Sequence, residues 1–178
     1  MLIYITGVAG SGKSTLREEL ERKGYQAEDA DEGFCAWFDA DGNQVPTLPL
    51  PLRTPEWYAS HRWRLLPARV SGFAEACANG LGFLLGIAGN ADEMAPYFGA
   101  AFFLTADTDV IHERLRVRDG AAHATRFAAF ASVREWQQSA EQWWVNQGYA
   151  PLDSSGTPTE VADTLLQLVA PNSGSLAQ

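Results

Sequence analysis

The chain has 178 residues, 46% of them hydrophobic and 20% charged, which is enough to bury a core and too apolar for a disordered segment. A formal net charge of −9 repels nucleic-acid backbones and anionic membranes, so composition argues against both as partners and in favour of a small molecule. Cys35 and Cys77 lie far apart without metal-ligand spacing, the first residues lack a signal-peptide pattern, and the apolar runs are too short to cross a bilayer; together these predict a cytoplasmic protein with reduced thiols.

Leu2-Ile3-Tyr4-Ile5 is a short, apolar, β-prone run that leads into Gly7-Val8-Ala9-Gly10-Ser11-Gly12-Lys13-Ser14, the G-x-x-x-x-G-K-S pattern of a phosphate-binding loop. A helix is predicted to follow over Thr15–Lys23, with Leu16 and Leu20 on one face. A strand before and a helix after form the context that such a loop requires. The three glycines let backbone N–H groups curl around phosphate oxygens, and the start of the helix adds its positive dipole end. The expected nucleotide-binding set is Gly7, Gly10, Ser11, Gly12, Lys13, Ser14 and Thr15, with Lys13 reaching the β- and γ-phosphates of ATP and Ser14 offering a hydroxyl to Mg²⁺.

Gly24 is placed to end that helix, and Tyr25-Gln26-Ala27-Glu28 reads as a second strand ending in the acidic run Asp29-Ala30-Asp31-Glu32. Ligands of open α/β sheets collect at the carboxyl ends of strands, where both the glycine loop and this Asp-x-Asp fall. Two carboxylates there divide naturally, one toward Mg²⁺ and one toward a substrate hydroxyl; an acidic turn is the bland alternative.

The run G-x-x-G-x-G-K-S-T, one helix, a strand and D-x-D resembles the shikimate kinase and gluconate kinase branch of the small P-loop kinases, relatives of adenylate and nucleoside kinases. The resemblance covers about the first thirty residues closely and the rest in layout. It implies a three-layer α/β fold with a five-stranded parallel sheet in the order 2-3-1-4-5, Asp29 in the metal shell and Asp31 on the acceptor hydroxyl.

Residues 33–79 have a character of their own, with Phe34, Trp37, Phe38, Trp57, Tyr58 and Trp63 close together and a turn signal at Asp39-Ala40-Asp41-Gly42-Asn43. Pro46, Pro49, Pro51 and Pro55 predict an extended crossing loop, and a helix is expected from Glu56, either kinked or restarted at Pro67, with Leu66, Val70, Phe73 and Cys77 at helical spacing. By the resemblance this segment binds the acceptor, and its aromatics with Arg53, His61, Arg62 and Arg64 suit a planar or anionic molecule, although each aromatic taken singly is more often core. Asp39-Ala40-Asp41-Gly42 also fits the D-x-x-G of GTPase switches, but no guanine-recognition signature follows.

Leu81 to Ala88 is a near-continuous apolar run, expected as a central strand, and the following Gly89-Asn90 departs from the glycine-rich sequence of shikimate kinases; Asn90 is a candidate polar contact or an Asn turn. No apolar strand ends directly in Asp, which shifts metal binding onto Asp29. Ala100–Leu104 reads as the fourth strand, and a helix through Arg118 delivers Arg114, Arg116 and Arg118. Residues 119–131 are small and suited to a lid, so Arg118 and Arg126 are the candidates for charge stabilisation and Arg114 for a nucleotide contact, with a solvated basic face as the alternative. Trp136, Ala140, Trp143 and Gln147 keep helical spacing, which predicts packing on the sheet. Tyr149–Leu152 reads as the fifth strand, the turn after it as a wall for adenine by the resemblance, Thr159–Val169 as the last helix and 171–178 as a polar tail.

The expectation is a single domain over 1–170 that uses ATP and Mg²⁺ to phosphorylate a hydroxyl or phosphate of a small metabolite or antibiotic-like molecule, with Lys13, Asp31, Arg118 and Arg126 as the catalytic set. The competing class is an NTP-binding regulatory module whose aromatic insertion binds a protein.

Overall fold

The structure is a computed structural model that describes residues 1–49, 52–119 and 130–170, without the side chains of 119 and 130–137. Its elements in chain order are β1 (Leu2–Thr6), α1 (Lys13–Arg22), β2 (Gln26–Asp29), β3 (Cys35–Phe38), β4 (Gln44–Val45), α2 (Pro55–Ser60), β5 (Arg62–Leu65), α3 (Pro67–Ala76), β6 (Gly82–Leu85), β7 (Phe98–Thr105), α4 (Thr108–Asp119), α5 (Phe130–Asn146), β8 (Ala150–Asp153) and α6 (Pro158–Val169).

Five parallel strands form the main sheet in the order β2-β6-β1-β7-β8. The first strand of the chain is therefore central, and its loop leaves from the middle of the sheet. Three strands of a second sheet, ordered β4-β3-β5 and antiparallel, intervene between the second and third members of the first, so the eight-strand numbering of the main sheet is 2-6-1-7-8 where the resemblance implied 2-3-1-4-5.

The period-two alternation of β1 divides the core in two. Ile3 and Ile5 face a layer with Leu16 and Leu20 of α1 and Val161, Ala162 and Leu165 of α6. Leu2 and Tyr4 face the other, with Val70 of α3, Ile111 and Leu115 of α4 and Trp144 of α5. Helix ends follow local chemistry: Gly24, at φ 88°, turns the chain after α1, and a capping box between Thr157 and Glu160 starts α6 with Pro158 in its first turn.

Two expectations need correction. The helix predicted from Glu56 breaks into α2, β5 and α3, because Pro67 starts a helix and the Arg62–Leu65 run pairs with β3 instead of coiling. On α5, Trp144 is buried at 6% exposure while Trp143 is 42% exposed, so the packing position is one residue later than the predicted Trp143. Of the two readings of Asn90, the turn is the one the structure shows: Glu93 N donates to its carbonyl at 3.1 Å, and its carboxamide accepts from Leu65 N at 2.7 Å and donates to Leu65 O at 3.2 Å, fixing β5 to the turn beyond β6. Arg126, most of the 119–131 stretch and the 171–178 tail lie outside the described residues.

Candidate active site

Everything chemical in the glycine loop sits at the carboxyl end of β1, where the sheet leaves a crevice. Gly7, Gly10 and Gly12 all have positive φ. At Gly10 the requirement is double: φ is 83°, and a Cβ would lie 2.9 Å from Leu115 Cγ, so the residue also admits α4 against the loop. α1 then begins at Lys13 with its first N–H groups facing the crevice. The Ser11 hydroxyl is fully buried and has no hydrogen-bond partner among the described residues.

Lys13 folds back onto the loop, its Nζ donating to Gly7 O at 2.5 Å and Val8 O at 3.0 Å. The residue is half-buried with its amine turned inward, and this desolvation pushes its pKa down to about 8 against the opposing pull of the Asp31 and Asp29 charges; Arg118 lowers it further. An amine so poorly solvated gains most from a phosphate dianion.

The sequence Asp29-Ala30-Asp31 puts alternate residues on opposite sides. Ala30 is fully buried against Gly86, where a Cβ would come within 2.4 Å of the Ala30 Cβ, and both aspartates line the cavity over the loop. One Asp29 oxygen accepts from the Asp31 backbone N–H at 2.9 Å, and one Asp31 oxygen accepts from the Trp63 indole Nε1–H at 2.9 Å. Beneath the pair, burial and the two carboxylates push the Cys35 thiol up to about 12, which keeps it protonated and unreactive. Burial likewise raises the Tyr4 phenol, whose hydroxyl donates to Gly86 O at 2.9 Å.

One cavity of about 1150 Å³ joins these parts. Its lining brings Lys13, Ser14, Thr15, Arg114, Arg118 and the turn at Gly156 together with Asp31, Trp37, Thr47, Arg53 and Trp63. Arg114 and Arg118, one helical turn apart, face this space, whereas Arg116 points away and pairs with Glu113 at 2.7 Å. The β3–β5 pairing sorts the basic residues of the 33–79 segment in the same manner. Trp37 opposes Trp63 on the cavity side, and Ala36 and Phe38 oppose Arg64 and Arg62 on the other. Arg64 pairs there with Glu93 and Arg62 caps the carbonyls of α2, so of the four basic candidates only Arg53 reaches the cavity. His61 instead stacks on Trp57.

Two sets of contacts were not read from the sequence. Ser154 joins the turn after β8 to both β7 and α4, donating to Thr105 O and accepting from Arg114. Trp63 orients Asp31 from 32 residues away, and no local pattern links the two. Among the described residues no group of three His, Cys, Asp or Glu side chains forms a ready metal cluster, and no helix is long and apolar enough to cross a membrane.

A central P-loop strand, a helix behind it and flanking parallel strands define the fold of the small P-loop kinases. Solved structures with this fold include the shikimate kinase of Aquifex aeolicus, 16% identical, covering 94% of this chain and 95% of that one with a TM-score of 0.59. A protein of Thermus thermophilus is 18% identical over 98% of both chains with a TM-score of 0.55. A sugar kinase of a Janibacter species is 17% identical, covering 93% of this chain and 92% of that one with a TM-score of 0.50. No family model and no curated protein matches the sequence.

Proposed function

We propose that this protein is an ATP-dependent kinase of a small molecule, acting in the cytoplasm as one catalytic unit over residues 1–170. The observation that carries this is a single cavity lined by the phosphate loop with Lys13, by the Asp29–Asp31 pair whose charges act on that lysine, and by Trp37 and Trp63. That is the layout needed for in-line transfer between a nucleotide and an acceptor.

The loop N–H groups and Thr15 hold the phosphates, and Lys13 exchanges its contacts with Gly7 O and Val8 O for the β- and γ-oxygens. Asp31 accepts a hydrogen bond from the acceptor hydroxyl and holds it in line with the γ-phosphorus. As the new O–P bond forms and the β–γ bridging bond breaks, the hydroxyl proton passes to this carboxylate and ADP leaves. Arg118 at the end of α4 and Arg126 in the 119–131 lid neutralise the transferring charge, and Arg114 holds the nucleotide end of the cavity. Ser14 and Asp29 would hold Mg²⁺; both are hard oxygen donors lining the cavity, and a site with few protein ligands suits an ion that keeps several waters. Bound there, Mg²⁺ supplies charge neutralisation at the β- and γ-phosphates. Segment 33–79 binds the acceptor.

The test is ADP release from Mg·ATP with and without a panel of hydroxylated metabolites, alongside Lys13→Ala. Acceptor-dependent turnover should fall by about 10²-fold or more in a variant that still melts as the parent does. Nucleotide binding with no turnover for any acceptor would favour the regulatory module instead. The cavity-facing position of Trp37 and Trp63 supports the enzyme, because a protein-docking insertion would present such rings outward.

A further inference from the structure

We infer that the acceptor carries its reactive hydroxyl on a flat aromatic or heteroaromatic ring and is not a polyol, an inference that rests on the phosphotransfer reading above. The acceptor end of the cavity is walled by π-surfaces that the fold already holds in place. Trp37 and Trp63 are directly opposed across β3 and β5, with ring centroids 5.1 Å apart and planes at 45°. Trp57 backs Trp37 edge-on at 4.5 Å and is itself stacked on His61 at 4.3 Å. The Arg53 guanidinium lies over this cluster, 5.4 Å from the Trp37 centroid, with its Nε fixed on Leu48 O at 2.8 Å. Flat groups braced from behind in this way bind flat ligands at little ordering cost.

Polar groups at the same end are few. Among the described residues, and apart from those on the glycine loop, α1, α4 and the turn after β8, the polar side chains that line the cavity are Asp29, Asp31, Thr47 and Arg53, with the Trp63 indole. One Asp29 oxygen is held by the Asp31 N–H and one Asp31 oxygen by the Trp63 indole, which leaves Asp31 Oδ2 for an acceptor hydroxyl. A polyol with a hydroxyl on each carbon needs a partner for each once water is excluded, and each one left without a partner lowers affinity by roughly fivefold or more. A ring with one reactive hydroxyl makes no such demand.

Trp63 has two tasks. Its face offers the plane on which the ring lies, and its Nε1–H fixes the carboxylate that the ring's hydroxyl meets. Stacking and nucleophile alignment are thereby set by one rigid side chain.

The experiment loads the protein with Mg²⁺ and a non-hydrolysable ATP analogue and titrates it by calorimetry and tryptophan fluorescence with two sets of probes. One set is pyridoxine, 3-hydroxypyridine and 4-hydroxybenzyl alcohol; the other is D-gluconate and shikimate. ADP release from Mg·ATP is then measured with each. The tightest ring-bearing probe should bind at least about tenfold more tightly than either polyol acid and be the one phosphorylated. Trp63→Ala should weaken it about fivefold or more, the range for one aromatic stacking contact. Trp63→Phe, which keeps the ring and loses the N–H, should hold the Kd within about threefold while transfer slows about tenfold or more. Preferential phosphorylation of gluconate or shikimate would overturn the ring class and leave the kinase intact. No ring probe binding more tightly than the polyols, or equal losses of affinity in the Phe and Ala variants, would also overturn it. Ring binding at the tryptophans with no transfer would sustain the ligand class and overturn the kinase.

Discussion

Arg114 on α4 and Ser154 just past β8 meet in a fork, in which Nη2 donates to the Ser154 carbonyl at 2.7 Å and Nη1 lies 3.3 Å from its hydroxyl. The same Nη1 stands 3.4 Å from Ser11 O, and the Ser154 hydroxyl donates onward to Thr105 O at 2.9 Å. One guanidinium thus ties the glycine loop to the turn after β8 that lines the cavity. Arg114→Ala should weaken binding of an ATP analogue by about tenfold or more and lower stability, since hydrogen bonds to a charged group contribute roughly 1.5–3 kcal/mol. Arg114→Lys should recover little, because an ammonium cannot span the fork. Ser154→Ala, which keeps the carbonyl contact, should fall between. Calorimetric titration of the three variants checks the order; a lysine variant equal to the parent would mean that only charge matters at this position.

Asn90 carries a prediction about stability. Its side chain is 1% exposed and makes both of its hydrogen bonds to the backbone of Leu65, on the strand that also carries Trp63. Asn90→Ala leaves a buried N–H and a buried C=O without partners and should cost roughly 2–5 kcal/mol of unfolding free energy. Asn90→Asp should be worse at neutral pH, because a carboxylate can accept from Leu65 N but faces Leu65 O with a second acceptor. Denaturant unfolding of the three proteins decides it. Nucleotide binding at a temperature where the variants are still folded should be nearly normal, as Asn90 does not line the main cavity.

The loop side of the cavity was legible because its geometry is local. Glycines, lysine and serine act at fixed spacing through their own backbone, so Gly7 to Ser14 could be read as a unit, and Asp29 and Asp31 as the end of the next strand. The tryptophan-lined side was not, because it depends on pairing. A helix over residues 56–66 and the β3–β5 hairpin-like sheet are both compatible with Trp57, Trp63 and the intervening residues, and only the partner strand Cys35–Phe38 selects the second. Once that register is set, Trp63 faces Asp31 and Arg62 and Arg64 turn away, a sorting that no window of the sequence contains. The Trp143 to Trp144 shift is of another kind: two adjacent tryptophans satisfy helical spacing almost equally, and contact with Phe103 decides between them.

The two aspartates should separate in function. Asp29→Asn keeps a carbonyl oxygen able to accept from the Asp31 N–H, so the local turn should survive while the Mg²⁺ concentration needed for half-maximal turnover rises. In Asp31→Asn the carbonyl can still take the Trp63 N–H, but the position meant for the acceptor hydroxyl then holds an amide donor. Transfer should fall by about 10²–10⁴-fold with binding of Mg²⁺ and an ATP analogue nearly unchanged. Equal effects of the two substitutions on metal dependence would remove the division of labour.

On the proposed function, Lys13 should make nucleotide binding a proton-linked event above neutrality. Burial lowers its amine from 10.5 to about 8 in the free protein, and phosphate oxygens at Nζ must raise it again. At pH 6.5 the amine is charged before and after binding, so no proton is taken up on its account. Near pH 9 it is mostly neutral when free and charged when bound, and binding should take up close to one proton, with affinity falling up to about tenfold per pH unit. The effect on folding has the opposite sign from that of a stabilised lysine. Because the unfolded chain holds this proton up to about 10.5 and the folded chain releases it at about 8, the cost of burying the charge is fully present below pH 8 and is relieved as pH rises from 8 to 10.5. The wild-type minus Lys13→Met difference in unfolding free energy should therefore rise across that window, which cancels the other groups that titrate there. Calorimetry of ATP-analogue binding in two buffers of different ionisation enthalpy gives the proton count directly. No uptake at pH 9, together with a flat stability difference, would mean that the amine keeps its ordinary basicity and that its contacts with Gly7 O and Val8 O are those of a well-solvated charge.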